Sequence, residues 1–241
     1  MTTGAGLAGD RAARAILRFD AARLVLGADL PSARASNLAL EPGDFALIDA
    51  GDSTRCHAFA DAASGLVAPA AGRIFFLGQD WAATGPDDAN ALRGRIGRLS
   101  SAGQWIDSLA MDENILIQQS HHTRRDAARL ADDAARLARH FGLPGLPLDR
   151  PGLCAHADLE RAALVRAFLG RPRLVILEHQ AHLAEPEHLE PLVNAVRTVR
   201  DRGGAVLWLT LDPRAWGDVT LPVTRRLRII GAEIQEGAAR S

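Results

Sequence analysis

Leu47-Ile48-Asp49-Ala50-Gly51-Asp52-Ser53-Thr54-Arg55-Cys56 is the stretch in which phosphate chemistry would be sought: an apolar run, then small and hydroxyl-bearing residues, then a cation. A loop of the form G-x-x-x-x-G-K-S/T folds backbone N–H groups around a phosphate, and its lysine reaches the outer phosphates. This chain contains no lysine; all 28 of its basic residues are arginine, so no such loop is present in standard form. A second candidate is Glu178-His179, in which a carboxylate adjoins a side chain able to act as a base near neutral pH. That pair would need a bound phosphate to act on. His121-His122 and His179-x-x-His182 carry metal-ligating side chains, but histidines at these spacings without nearby cysteine are a weak signal. They are expected on a solvated surface, and no metal site is expected. Cys56 and Cys154 read as small packed thiols rather than nucleophiles, with nothing to suggest a disulfide framework.

The elements that must position these residues can be read in outline. Ile16 to Phe19 and Asp44 to Asp49 pattern as strands, the second entered by the turn Glu41-Pro42-Gly43. A short helix is expected from Thr54 to about Ala63, stopped by Gly65, and a strand from Arg73 to Leu77. Within 121–141, Leu130, Ala134, Leu137, Ala138 and Phe141 recur at helical spacing, which predicts an amphipathic helix ended by Gly142 and Pro144. Its charged side reads as a solvated face. Leu174 to Leu177 and Ala205 to Leu209 are short apolar runs of the buried parallel type. Between them, a helix opens at Pro186, carries Leu189, Leu192, Val193 and Val196 on one face, and closes at Gly203-Gly204. Arg225 to Ile230 and Ala232 to Gln235 read as a terminal hairpin. Alternating strands and helices imply a layered α/β domain.

At 241 residues, with 47% apolar and 24% charged residues, the chain can bury a full core. The net charge of −1 gives no electrostatic case for nucleic acid or an anionic membrane surface. The abundance of alanine and arginine, without lysine or tyrosine, is attributed to base composition rather than function. No secretory leader pattern is visible and no apolar run approaches the ~18 residues that span a bilayer, so a cytoplasmic protein is expected. Any membrane role would come through a partner. Residues 1–12 are expected to be disordered and 13–241 to form one domain, with a helical subdomain at about 103–170 inside it.

The order of several strings resembles the ATP-binding cassette subunit of ABC transporters over about residues 15 to 237. Leu40-Glu41-Pro42-Gly43-Asp44 is similar to the lead-in to that family's Walker A loop. Gly65 to Pro69 and Ala71 to Gly78 are similar to the passage after it, and Leu109 to Ile115 to the "L-T-V-x-E-N-I" passage after the Q-loop. Arg161 to Pro172 resembles the helix after the signature, and Leu174 to Glu178 takes the place of the Walker B strand. The resemblance implies a P-loop NTPase-like cassette fold: a mixed sheet with helices packed on it and a helical subdomain inserted.

Carried over residue by residue, the same resemblance shows where the pattern is broken. The Walker A positions align with Asp49, Gly51, Asp52, Ser53, Thr54, Arg55 and Cys56, with the glycines at Asp49, Asp52 and Thr54. Thr54 is expected to carry ~1–2 kcal/mol of strain if held in left-handed geometry. A carboxylate about 5 Å from a phosphate charge costs ~3 kcal/mol at an effective dielectric near 20. Arg55 supplies a planar fork where a point charge is usual. Cys56 is a poor substitute for a hydroxyl ligand of magnesium. The Q-loop position aligns with Ser101, and the signature with Cys154 to Arg161, where Ala155, His156 and Ala157 replace its serine and glycines and only Arg161 is kept. Glu178 takes the Walker B aspartate and is expected still to be able to reach a metal. His179 takes the catalytic glutamate, Glu185 the D-loop aspartate and Leu211 the H-loop histidine. Phe19 is a poor stand-in for an adenine-stacking tyrosine.

The resemblance implies a cassette subunit, degenerate in its catalytic motifs, that assembles with a membrane permease and with a second copy or second cassette. Trp105, Ile106 and Leu109 are candidates for permease docking, with core packing as the alternative. A lipid-transport system is faintly indicated by Leu207-Trp208-Leu209-Thr210. ATP hydrolysis is expected to be weak or lost; ATP and magnesium are cofactors only if the altered site still binds them. An active but atypical ATPase using Arg55, Glu178 and His179, and a protein-binding scaffold outside transport, are the two alternatives.

Overall fold

The structure is a computed structural model that describes residues 14–25, 35–100, 104–178, 186–218, 220–230 and 233–237, with the backbone alone for 186–188. The expected disorder of residues 1–12 and the positions Ser101, His179, His182 and Glu185 lie outside the described residues. In chain order the elements are β1 (Leu17–Arg23), β2 (Ser36–Leu40), β3 (Phe45–Asp49), α1 (Ser53–Ala63), β4 (Ala71–Phe76), β5 (Gln79–Asp80), α2 (Pro86–Arg93) and β6 (Ile96–Leu99). They continue with α3 (Met111–His122), α4 (Ala127–His140), a 3₁₀ turn (Pro151–Leu153), α5 (His156–Phe168), β7 (Leu174–Glu178), α6 (Pro186–Asp201), β8 (Ala205–Thr210), α7 (Pro213–Gly217), β9 (Arg225–Ile230) and β10 (Glu233–Glu236).

Two sheets form the frame. The smaller runs β2-β1-β4-β5 and is antiparallel. The larger runs β10-β9-β3-β8-β7-β6, parallel from β9 to β6 with β10 antiparallel at one edge. Its central strands β3, β7 and β8 are apolar at every position but the last, where Asp49, Glu178 and Thr210 stand, because both faces are covered. Alternate residues serve different cores: Phe45, Leu47, Val175, Leu177, Val206 and Trp208 face a cluster completed by α3 to α6. Ala46, Ile48, Leu174, Ile176, Leu207 and Leu209 face a second one, shared with α1 and the smaller sheet. The turn before β3 forms as expected, with Asp44 N–H donating to the Glu41 carbonyl and Gly43 at φ +89°.

The amphipathic helix expected within 121–141 forms as one helix, α4, but begins only at Ala127; residues 121–122 are instead the end of α3. Thr123 is extended, and its hydroxyl donates to the Gln119 carbonyl at 2.6 Å, closing α3. Asp126 then caps α4 by accepting from Arg129 N–H at 3.0 Å. These local side-chain bonds compete with a continuous helical ladder. The apolar stripe survives, with Leu130, Ala134 and Ala138 buried.

Strand β6 had no strand signal, since Ile96-Gly97-Arg98-Leu99 contains a glycine and an arginine. The glycine is required: a Cβ there would lie 1.7 Å from the Ala167 carbonyl oxygen of α5. Helix α3 was also hidden, because it buries Asn114 and Gln119. The Asn114 amide donates to the Ile106 carbonyl at 3.0 Å and accepts from Ile106 N–H at 2.8 Å, fixing the segment around Trp105 onto α3.

Candidate functional site

Parallel register brings the site's framework together. Asp49 ends β3 opposite Thr210 of β8, and Glu178 ends β7 opposite Leu209. All three strands stop at one edge of the sheet, the place where open α/β sheets collect their ligands. Only three residues separate Asp49 from the start of helix α1 at Ser53.

The turn from β3 into α1 is tight and satisfied by its own side chains. Gly51, at φ +83°, donates its N–H to Asp49 Oδ1 at 3.2 Å. Asp52 is extended and caps α1, accepting from Arg55 N–H at 2.8 Å. Arg55 folds back so that its Nε lies 3.3 Å from Asp52 Oδ2. The helix N-terminus, where a free anion would be favoured, therefore faces a built-in carboxylate. Asp49 is also engaged, with Arg228 Nε 3.4 Å from its Oδ2 and the Arg228 guanidinium 4.8 Å over the Trp216 ring. The strain expected at Thr54 is absent: α1 begins at Ser53, so Thr54 has helical backbone.

Glu178 also departs from expectation. Its side chain is 1% exposed and is held by protein groups, not turned to an open metal position. Arg98 of β6 donates through Nε to Glu178 Oε1 and through Nη1 to Asp61 Oδ1 at 2.6 Å. His57 of α1 completes the group, with Nδ1 3.1 Å from Glu178 Oε2 and Nε2 3.7 Å from Asp61 Oδ2. Burial pulls the Arg98 pKa down, but its bonds to Glu178 and Asp61 outweigh this and raise it, so the guanidinium stays charged. Cys56, 1% exposed, has its thiol pushed up to about 12 by burial and then by the carboxylates of Glu178, Asp52 and Asp49. It is a protonated thiol at neutral pH, and a thiol is a poor partner for a hard cation.

Other positions separate from this cluster. Phe19 is buried and stacks on Phe59 with centroids 5.2 Å apart, so it is core and offers no adenine platform. Leu211 packs against the second core and lines a cavity of about 160 Å³ with Asp49, Thr210, Asp212, Trp216 and Arg228. Ala155, His156 and Ala157 are exposed at the start of α5. Contacts there are local, His156 to Glu160 at 3.2 Å and Arg161 to Asp158 at 3.3 Å, and Ala155 has no side chain to cap the helix. Trp105 is partly buried against the first core with the Arg166 guanidinium 4.3 Å over its ring, while Ile106 is exposed. Cys154 lies partly buried and reduced, as does the buried Cys56.

His57, Asp61 and Arg98 did not stand out in the sequence. The one available signal was His57 and Asp61 at i,i+4 in the helix after Cys56, which puts both on one face. Arg98 could not be placed without its strand. The donors present do not fit a magnesium–nucleotide complex. A carboxylate already fills the helix cap, the cation beside it is turned onto that carboxylate, and the buried acid at the strand end is neutralised by arginine.

No family model matches the chain. Among curated proteins it is 32% identical over 156 residues to the thiamine import ATP-binding protein ThiQ of Cereibacter sphaeroides, covering 63% of this chain and 64% of that one. It is 24% identical over 178 residues to the methionine import ATP-binding protein MetN of Caulobacter vibrioides, covering 73% and 52%. The match thus spans less than two thirds of either relative's length. Among solved structures it superposes on the dimeric ATP-binding cassette MJ0796 bound to ADP and Pi with a TM-score of 0.77, 14% identity, and coverage of 93% of this chain and 99% of that one. Against cbiO1 from Clostridium perfringens, part of the ABC transporter complex cbiONQ, the TM-score is 0.72 at 13% identity, with coverage of 94% and 89%. The chain has the fold of the ABC ATPase cassettes, and in sequence it is similar to the ATP-binding subunits of ABC transporters.

Proposed function

We propose that this chain is a cassette subunit of an ABC-type membrane transporter that has largely given up nucleotide turnover and serves as a structural or regulatory partner of a permease. The observation that carries this reading is the capping of α1 by Asp52, with Arg55 folded onto the same carboxylate. A nucleotide phosphate would have to displace that carboxylate or sit beside it, at the ~3 kcal/mol that two such charges cost at close range. The signature segment Ala155 to Ala157 lacks the serine and glycines of its counterparts. Pairing with an intact cassette would therefore impair both composite sites.

The permease side of the proposal rests on a groove of about 290 Å³ lined by Leu66, Arg93, Gln104, Ile117, Gln118 and Arg166, among others. Leu66 and Ile117 are exposed apolar side chains inside it, and Trp105 and Ile106 lie beside Gln104. Such a mixture of apolar and arginine surface suits a partner better than bulk water. Among the described residues no helix is long and apolar enough to cross a membrane, so association with the bilayer would be through that partner, from the cytoplasmic side. The relatives' names span thiamine and methionine import and, at 27% identity over 148 residues, the lipoprotein-releasing protein LolD of Anaeromyxobacter dehalogenans. That last similarity is the support for a lipid-type cargo.

The test is a titration of ATP and magnesium followed by melting temperature, with phosphate release measured in parallel. A ligand at 100 times its dissociation constant adds ~2.7 kcal/mol, a shift readily seen. The proposal expects no shift and no turnover, with a membrane subunit co-purifying. A clear shift with magnesium-dependent turnover would overturn it in favour of an active, atypical ATPase. Co-purification of a soluble partner alone would favour a scaffold outside transport.

A further inference from the structure

Charge is segregated along the larger sheet, although the whole chain carries only −1. Asp49 and Glu178 stand where the parallel strands end. At the opposite edge, where β6, β7 and β8 begin, the strand approaches and the end of α6 carry Arg95, Arg171, Arg173, Arg197, Arg200 and Arg202. Arg173 Nη2 donates to the Gly203 carbonyl at 3.0 Å and Arg200 Nε to the Gly43 carbonyl at 2.6 Å. Among the described residues, none of these six guanidiniums has a carboxylate within ion-pair distance. Asp44, next to Gly43, is taken up by Glu41 N–H at 2.8 Å and by the Thr224 hydroxyl at 3.2 Å. An unbalanced basic surface of this kind attracts anionic partners.

Between α4, α6 and the turn before β7, this edge opens into a groove of about 170 Å³. Its floor is apolar, with Phe168, Ala195 and Val199 buried. His140, Arg171 and Arg202 stand exposed on its rim, and no carboxylate is among its described lining residues. His140 is fixed there by donating through Nε2 to the Pro191 carbonyl at 2.8 Å. Arg171 is held at φ +59° between Gly170 and Pro172, a left-handed backbone uncommon for a residue with a Cβ. Guanidinium forks pair with carboxylates through two parallel bonds. Enclosed small-molecule sites run to about 300–1,000 Å³; this groove is smaller and open, and suits one side chain of a larger partner. Phe168 is buried and offers no face on which a base could stack. The apolar residues are recessed rather than protruding, which does not suit insertion into a bilayer. We propose that this groove docks an acidic segment of a partner protein, with an aliphatic side chain on Phe168, Ala195 and Val199 and flanking carboxylates on Arg171, Arg202 and His140. It lies at the sheet edge opposite Asp49 and Glu178, so docking there is independent of nucleotide turnover and of a permease at the groove beside Trp105.

The experiment titrates the full chain against short fluorescein-labelled peptides, each with one leucine flanked by glutamates at several spacings, and reads fluorescence anisotropy. Wild type is expected to bind at least one of them, more weakly as salt is raised, and to ignore the matching lysine peptides. Replacing the peptide's leucine by serine is expected to weaken binding about tenfold, and Arg171→Glu combined with Arg202→Glu to weaken it at least tenfold. Both arginines are exposed, so the melting temperature of the variant checks that the fold is kept. Should the turn at Arg171 not tolerate the change, Arg202→Glu alone and Arg202→Gln carry the test, with a graded loss expected from glutamine to glutamate. Selective binding of the glutamate peptides that falls with these substitutions supports the proposal. Binding to none of the peptides would overturn it, as would binding that the charge-reversed chain retains. Capture by vesicles of phosphatidylcholine and phosphatidylserine in equal parts, lost in the same variants while the peptides do not bind, would also overturn it and assign the surface to a membrane.

Discussion

Removal of the carboxylate at Asp52 gives the sharpest separation between a self-filled helix cap and a working phosphate site. In Asp52→Ala the cap loses its bond from Arg55 N–H, a change that costs about 1 kcal/mol at helix N-termini. Loss of the favourable charge at the positive end of α1 adds about 0.5 kcal/mol. The Asp52–Arg55 pair has side chains 53% and 32% exposed, so it adds only a few tenths at most. Against these losses stands relief of repulsion, since Asp52 shares its field with Asp49 and Glu178 at Cys56. The net expectation is a destabilisation of about 1 kcal/mol, a fall of ~2–4 °C in melting temperature for a chain of this length. The second arm adds pyrophosphate or ADP. With the carboxylate gone, the exposed N–H groups of α1 and a released Arg55 can take an external anion, and the variant should recover its loss and exceed it. The wild-type chain should not respond. Asp52→Asn keeps a capping oxygen without the charge; it should melt close to wild type and respond weakly. Scanning fluorimetry reads all three chains in one series. The reasoning is refuted if wild type gains as much from ADP as Asp52→Ala does, or if Asp52→Ala falls in stability and no anion restores it.

Two further expectations follow from packing and ionisation. Gly97→Ala places a methyl group 1.7 Å from the Ala167 carbonyl oxygen, a backbone clash that rotamer changes cannot relieve; a loss of about 3 kcal/mol or more is expected, read from the urea midpoint. Cys56 should resist alkylation in the native state at pH 8 while the less buried Cys154 reacts first, and mass spectrometry of labelled peptides checks the order. Because the folded Cys56 pKa of about 12 lies above the ordinary 9.0, its contribution to stability is fully present below pH 9 and is lost as pH rises towards 12. Below pH 9 both states hold the proton; above it the unfolded chain releases the proton first and unfolding is favoured. Cys56→Ala should flatten that part of the urea-midpoint profile.

Much of the frame was legible because burial on two faces writes a simple signal. Phe45 to Ile48, Leu174 to Leu177 and Ala205 to Leu209 are unbroken apolar runs, and each became a central strand of the larger sheet. Gly43, Pro186 and Gly203 mark element ends by their backbone limits alone. The hidden elements were those whose buried residues are polar or small. Asn114 and Gln119 weaken the apolar face of α3, and Gly97-Arg98 disguises β6, because groups outside their own elements accommodate them: the Ile106 and Gly94 carbonyls accept from the two amides, Glu178 accepts from Arg98, and the close approach of the Ala167 carbonyl demands the glycine. The helix expected within 121–141 formed with its apolar stripe intact, but its start was misplaced, because short-range side-chain bonds at Thr123 and Asp126 end α3 and begin α4 where no apolar residue marks the boundary.

The sequence by itself determined the order of strands and helices and the resemblance to ABC cassettes. It also determined the absence of any lysine that could serve a phosphate loop. These follow from local patterning and residue identity, which need no coordinates. Tertiary structure decided how the residues of the candidate site are arranged. Only parallel register sets Asp49 and Glu178 at one edge, and only the folding of β6 beside β7 brings Arg98, 80 residues away in sequence, onto Glu178. A buried carboxylate must find a counter-charge, and which cation supplies it is settled by packing over distances that no local pattern reports.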